Sequence, residues 1–207
     1  MNINTIHSNS QALQDIFAIY INQFKTDGYF VDLGCNEPIS GNNSATLESM
    51  GWNGILVDYV ESLVQKCNSI RKNKAIYANL INTSITDLLI QNNAPEIIDY
   101  LSMDLDYGAA LPSIKSFDFN KFKIKCMTFE HDAYLNGDDM KNESREFLES
   151  KGMKIVCKDV TIFGGKSFED WYVNPQLVSE SVYSKIISDG EEYTSIIEKL
   201  KNINTIN

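Results

Sequence analysis

The spacing of hydrophobic positions along this chain changes several times, and each change marks a new element. Ala12, Leu13, Ile16, Phe17, Ile19, Tyr20 and Phe24 recur at helical spacing until Asp27-Gly28 breaks the pattern. Tyr29 to Leu33 is a short, largely apolar run closed by Gly34, the form of a strand buried on both faces of a parallel sheet. Asn43 or Ser44 can cap a helix running through Leu47 and Met50 to Gly51. Gly54 to Asp58 predicts a second strand, and Leu63, Val64, Cys67 and Ile70 a second crossover helix.

The alternation continues with strands at Ala75 to Ala78, Ile98 to Met103, Lys123 to Phe129 and Lys154 to Val160. Helices are expected over Ile85 to Ile90, Ala109 to Ser116 and Asn142 to Lys151, the last stopped by Gly152. Near the end the order changes. Ile162-Phe163, then Gly164-Gly165-Lys166, then Phe168 to Val173 reads as strand, glycine turn, strand, which must be antiparallel. Leu177 to Ile187 and Tyr193 to Leu200 predict terminal helices on either side of Asp189-Gly190. The expectation is a three-layer α/β/α, doubly wound sheet, mostly parallel, within one domain over 1–207. An N-terminal helix occupies 1–27, the core 28–175 and C-terminal helices 176–207.

Composition narrows the function. A formal net charge of -10 disfavours a phosphate-backbone partner, so nucleic acid is not an expected substrate. No apolar run approaches the roughly 20 residues of a membrane span. The opening residues lack a basic segment followed by an apolar one, so the expected location is cytoplasmic. Cys35, Cys67, Cys126 and Cys157 form no C-x-x-C pair, against a structural zinc or a disulfide framework.

Ligands of open α/β sheets bind beyond the carboxyl ends of the strands, where strand order reverses. Carboxylates crowd that edge: Asp32 and Gly34 close the first strand, Asp58 the second, Asp104 the fourth, and Glu130-His131-Asp132 the fifth. An adenosyl amino acid gives each a task. Gly34 would admit the ligand close to the backbone, and Asp58 would accept both ribose hydroxyls. Asp32 would attract the ammonium group, Asn36 lies in the glycine loop, and the Ala78-Asn79-Leu80 loop would flank the adenine. Singly, each acid also reads as a cap or turn residue. A dinucleotide fingerprint needs G-x-G-x-x-G, whereas the loop Gly34 to Gly41 lacks the second glycine and carries Glu37, which repels phosphate.

Four segments in order, GYFVDLGCNEPISGNNSATLESMGWNGILVDY, IDYLSMDLDYGAALPSIKSFDF, CMTFEHDAY and FEDWYVNP, resemble the FkbM-like family of S-adenosylmethionine (SAM)-dependent methyltransferases. The resemblance spans about Gly28 to Pro175. It implies the class I methyltransferase fold, a seven-stranded sheet with its last strand antiparallel, SAM as cofactor, and methyl transfer to an oxygen of a sugar or other small molecule. By position, Asp32 and Gly34 match the family's first glycine motif, Asp58 its ribose-binding acid and Asp104 the acid after the fourth strand. Pro38 stands where a glycine is common, Asp58 where Glu is commoner, and Asp106-Tyr107-Gly108 in place of an acid-Gly pair.

Methyl transfer needs a positioned nucleophile and a proton acceptor. His131 is the first candidate base, with Asp104 beside it; the alternative is that His131 bonds structural neighbours. Asp104, Glu130 and Asp132 are candidate ligands for Mg²⁺ or another divalent cation, as in metal-dependent O-methyltransferases, although adjacent strand residues point to opposite faces. The terminal helices would cap the pocket or form a homodimer face. Two other classes stay open: a SAM-binding partner protein without turnover, and a nucleotide-dependent oxidoreductase.

Overall fold

A computed structural model describes residues 3–162 and 164–203. The expected α/β/α sandwich forms around an eight-stranded sheet in the order β3-β2-β1-β4-β5-β7-β6-β8. The strands are β1 (Tyr29–Leu33), β2 (Asn53–Asp58), β3 (Lys74–Tyr77), β4 (Ile97–Met103), β5 (Lys123–Glu130), β6 (Lys154–Ile162), β7 (Lys166–Val173) and β8 (Ser188–Asp189). β1 pairs with β2 on one side and β4 on the other, with Leu33 opposite Val57 and Met103. The chain therefore winds outward to β3, then returns across β1 to build the other half. The cleft above β1 is the reversal point.

One strand, β7, runs against its neighbours β5 and β6. The sheet has eight strands rather than seven because Ser188 and Asp189 add a short parallel edge to Cys157 and Lys158 of β6. The helix expected over Leu177 to Ile187 is accordingly only α8 (Glu180–Tyr183) and a 3-10 turn (Ser184–Ile186). Phe163, expected in the strand before the glycine turn, lies outside the described residues.

Strand alternation splits the core in two. Phe30, Leu56, Tyr100 and Trp171 face α1 (Gln14–Ile21), α2 (Ala45–Ser49), α3 (Glu61–Ile70) and α9 (Tyr193–Ile203). Val31, Leu33, Val57, Leu101, Met127 and Phe129 face α4 (Ile85–Gln91), α5 (Tyr107–Lys115) and α7 (Asp139–Ser150). A short α6 (Ala133–Asn136) intervenes after β5. Helix α1 is shorter than its apolar pattern and buried along its whole length. Asn22 ends it by donating its side-chain amide to Ala18 O at 2.9 Å.

Candidate functional site

The carboxyl ends of β1, β2, β4 and β5 open into one cavity of about 580 Å³. Its lining includes Asp32, Gly34, Asn36, Asp58, Asn79, Asp104, Glu130 and Asp132, so the structure brings together every site residue expected from the sequence except His131.

The loop after β1 shapes the floor. Gly34 has φ +84°, and a Cβ there would lie 1.7 Å from the carbonyl oxygen of Asp104. Glycine is thus demanded first by the neighbouring β4–α5 turn, in addition to lining the cavity. Both carboxylate oxygens of Asp58 take backbone donors: Oδ2 from Asn36 N at 2.9 Å and Oδ1 from Val60 N at 2.8 Å. Asp58 therefore ties the glycine loop to the start of α3, and each oxygen keeps a lone pair for a ligand hydroxyl. Asn79 stands exposed, its Oδ1 accepting from Ile81 N at 3.0 Å.

Asp32 is 1% exposed and accepts from Ser44 Oγ at 2.6 Å. Burial pushes its carboxyl up to about 6, against the opposing pull of Ser44 and Arg71. Ser44 occupies the expected N-cap position, yet its hydroxyl serves Asp32 instead of the helix. Behind it lies a clamp that the sequence did not reveal. Arg71, at the end of α3, donates to Glu48 Oε1 (2.9 Å), Pro38 O (3.0 Å), Asn42 Oδ1 (2.9 Å) and Ser44 Oγ (3.1 Å). One buried guanidinium thereby fixes the path of the loop that carries Pro38.

At the other end, Asp104 and Glu130 interact side chain to side chain. Burial, then the charge of Asp104 beside it, pushes the Glu130 carboxyl up to about 12, so Glu130 holds a proton. Burial raises Asp104 as well. Asn43 donates to Ser102 Oγ at 2.9 Å and to Asp104 Oδ2 at 3.4 Å. Tyr59 reaches from the end of β2 to donate its hydroxyl to Asp106 Oδ2 at 3.0 Å. None of these three contacts had a sequence signal beyond residue type.

His131 faces away from the cavity. Glu130 and Asp132 share one side of the strand end and His131 takes the other, as the period of two requires. Its side chain is fully buried, with Nδ1 accepting from Ala133 N at 3.2 Å. That bond puts the ring proton on Nε2, which points into protein 3.8 Å from Asp170 Oδ1. The expected general base thus has no free lone pair and no path to a ligand in the cavity.

The expected cation ligands also regroup. Asp104, Glu130 and Asp132 do not form a cluster within ligating reach of one ion; among the described residues His131, Asp159 and Asp170 do. That group is occupied by protein cations. Arg145 grips Asp170 through two bonds of 2.7 Å, and Lys141 and Arg145 both pair with Asp159. With Nε2 protonated, His131 offers no electron pair to a metal there.

No protein-family model matches the sequence, and no curated protein sequence matches it. Solved structures do match its architecture. The O-methyltransferase from Bacillus cereus in complex with S-adenosylhomocysteine (SAH) aligns with TM-score 0.55 at 9% identity, over 82% of this chain and 83% of that one. Magnesium protoporphyrin IX methyltransferase (ChlM) from Synechocystis PCC 6803 with bound SAM gives 0.55 at 12%, over 79% and 78%. TrmK of M. capricolum with SAH gives 0.53 at 14%, over 92% and 75%. The chain has the class I SAM-dependent methyltransferase fold. Within the methyltransferase fold, the cleft at the strand-order reversal is the expected seat of the ligand. The FkbM-like resemblance remains one of sequence motifs. No helix among the described residues is long and apolar enough to cross a membrane.

Proposed function

We propose that this protein is a SAM-dependent methyltransferase acting on an oxygen or nitrogen of a small-molecule acceptor. The observation that carries the reading is the joint placement of Asp58, Gly34, Asp32 and Asp104 on one cavity at the sheet's reversal point. A phosphate-bearing dinucleotide fits poorly, since among the described residues five aspartates and the protonated Glu130 line that cavity, with no lysine or arginine.

SAM would supply an electrophilic methyl group on a sulfonium, a cation suited to this acidic wall. Asp58 would accept the ribose hydroxyls, and the exposed Asn79 loop would border the base. Asp104, raised by burial and steadied by the proton of Glu130, takes the role first given to His131: it receives the proton of the acceptor. Arg71 and Ser44 hold the glycine loop in register with these groups.

The test is calorimetric titration with SAH. Wild-type protein should bind, and Asp58→Ala should bind about 10- to 100-fold more weakly, the effect of losing charge-assisted hydrogen bonds of about 1.5–3 kcal/mol. Folded wild-type protein that does not bind SAH would overturn the reading.

A further inference from the structure

We infer that the acceptor enters this cavity as a cation, and that its nucleophile is an amine nitrogen. The inference rests on the methyltransferase reading and departs from the hydroxyl that the motif resemblance implies. Every ionisable carboxyl on the cavity wall is an acid with no basic partner in the lining: Asp32, Asp58, Asp104, Asp106, Glu130 and Asp132. Asp58 and Asp32 belong to the adenosyl half. Asp106 is held beside the Asp58 end by the Tyr59 hydroxyl, so Asp104 and Asp132 remain at the other half, where Glu130 is already neutralised by a proton. A carboxylate or phosphate acceptor would meet two like charges there, whereas an ammonium would meet two opposite ones.

A second observation points to a hydrogen-bond donor in the ligand. Asn43 is 4% exposed and lines the same cavity, held against Asp104 by its Nδ2. Its Oδ1 is buried without a hydrogen-bond partner. A buried acceptor is seldom left unpaired, and an N–H donor next to Asp104 would satisfy it. Arg71 is committed to Glu48 and the loop carbonyl of Pro38, and Arg145 to Asp170 and Asp159; Lys166, whose Nζ lies 5.3 Å from the centre of the Tyr134 ring, is not part of the cavity lining. The bound ammonium passes one proton to Asp104, which releases it to solvent. The freed nitrogen lone pair forms the new bond to the methyl carbon as the sulfur–carbon bond breaks, its electron pair staying on sulfur. The products are SAH and the methylated ammonium.

Two measurements test this, the first on the SAH-bound protein and the second on the protein free of SAH. Saturation-transfer NMR with the chain-matched probes n-butylammonium, n-butanol and butyrate should show butylammonium binding at least about fivefold more tightly than butanol, with butyrate excluded. Asp132→Asn should reduce that preference. A small-molecule extract separated by charge on a cation exchanger at pH 7, then incubated with methyl-labelled SAM, should give labelled product only from the retained fraction, with the methyl on nitrogen. Label confined to the neutral or anionic fractions, no label in any fraction, or butanol binding as well as butylammonium overturns the inference. Absence of SAH binding would instead remove the methyltransferase reading beneath it.

Discussion

Replacing Arg71 by methionine removes a charge that the structure has sealed inside the protein. The guanidinium is 1% exposed on its side chain, and Glu48 is 9% exposed. Breaking a buried ion pair by deleting one partner destabilises by about 3–5 kcal/mol. Here Glu48 keeps donors from Lys72 N, Asn73 N and Asn73 Nδ2, which hold its carboxyl below the ordinary range and soften the loss. Against that, Pro38 O, Asn42 Oδ1 and Ser44 Oγ each lose a bond worth about 0.5–1.5 kcal/mol. Methionine fills most of the vacated volume, so we expect a net loss of about 4 kcal/mol, a lowering of Tm by roughly 8–16 °C in a domain of this size. Urea unfolding followed by the fluorescence of the buried Trp52 and Trp171 reads it directly. SAH affinity should fall with it, because the loop bearing Asn36 and Asn43 loses its anchor. A loss below about 1 kcal/mol at unchanged m-value would show that the clamp is not what holds the loop, and the reasoning would fail.

Three further outcomes are expected. Gly34→Ala places a Cβ 1.7 Å from Asp104 O at positive φ, so the variant should lose SAH binding in the same titration even where circular dichroism shows a folded protein. His131→Ala should leave SAH affinity within about twofold while lowering stability by about 2 kcal/mol; a large drop in affinity with intact stability would return His131 to the site. Glu130 holds its proton up to about 12 when folded but only to its ordinary 4.5 when unfolded. The unfolded chain thus binds fewer protons between those values, and folding stability falls as pH rises across that window. Glu130→Gln should remove that fall, gaining on wild type by about 1 kcal/mol per pH unit between pH 6 and 8; a constant difference in urea unfolding over that range would contradict it.

The parallel strands were legible because burial on both faces leaves near-continuous apolar runs, such as Val31, Leu33, Val57 and Leu101, ending at the acids that face the cavity. What the chain hides is set by contacts remote in sequence. Strand β8 is two polar residues made extended only by pairing with Cys157 and Lys158. Arg71 follows the last apolar position of its helix, Ile70, and nothing local in sequence marks the partners at 38 to 48 that close over it. His131 stood at the right strand end, and the alternation with Glu130 and Asp132 held the signal that it faces away. The residue type outweighed the period. Its environment, Asp170 on β7 and Arg145 on α7, comes from elements downstream of it.

The single antiparallel strand has a consequence for biosynthesis. Because β7 sits between β5 and β6, the strand that follows β5 in the chain cannot simply zip onto it as β2 does onto β1. While the chain emerges from the ribosome, Lys123 to Glu130 presents an unpaired edge until residue 173 is available, and it is completed by a hairpin that forms from neighbouring sequence and arrives as a preassembled pair. A chain cut short within that hairpin would expose Met127 and Phe129 along an open strand, the arrangement most prone to association with other unfinished copies.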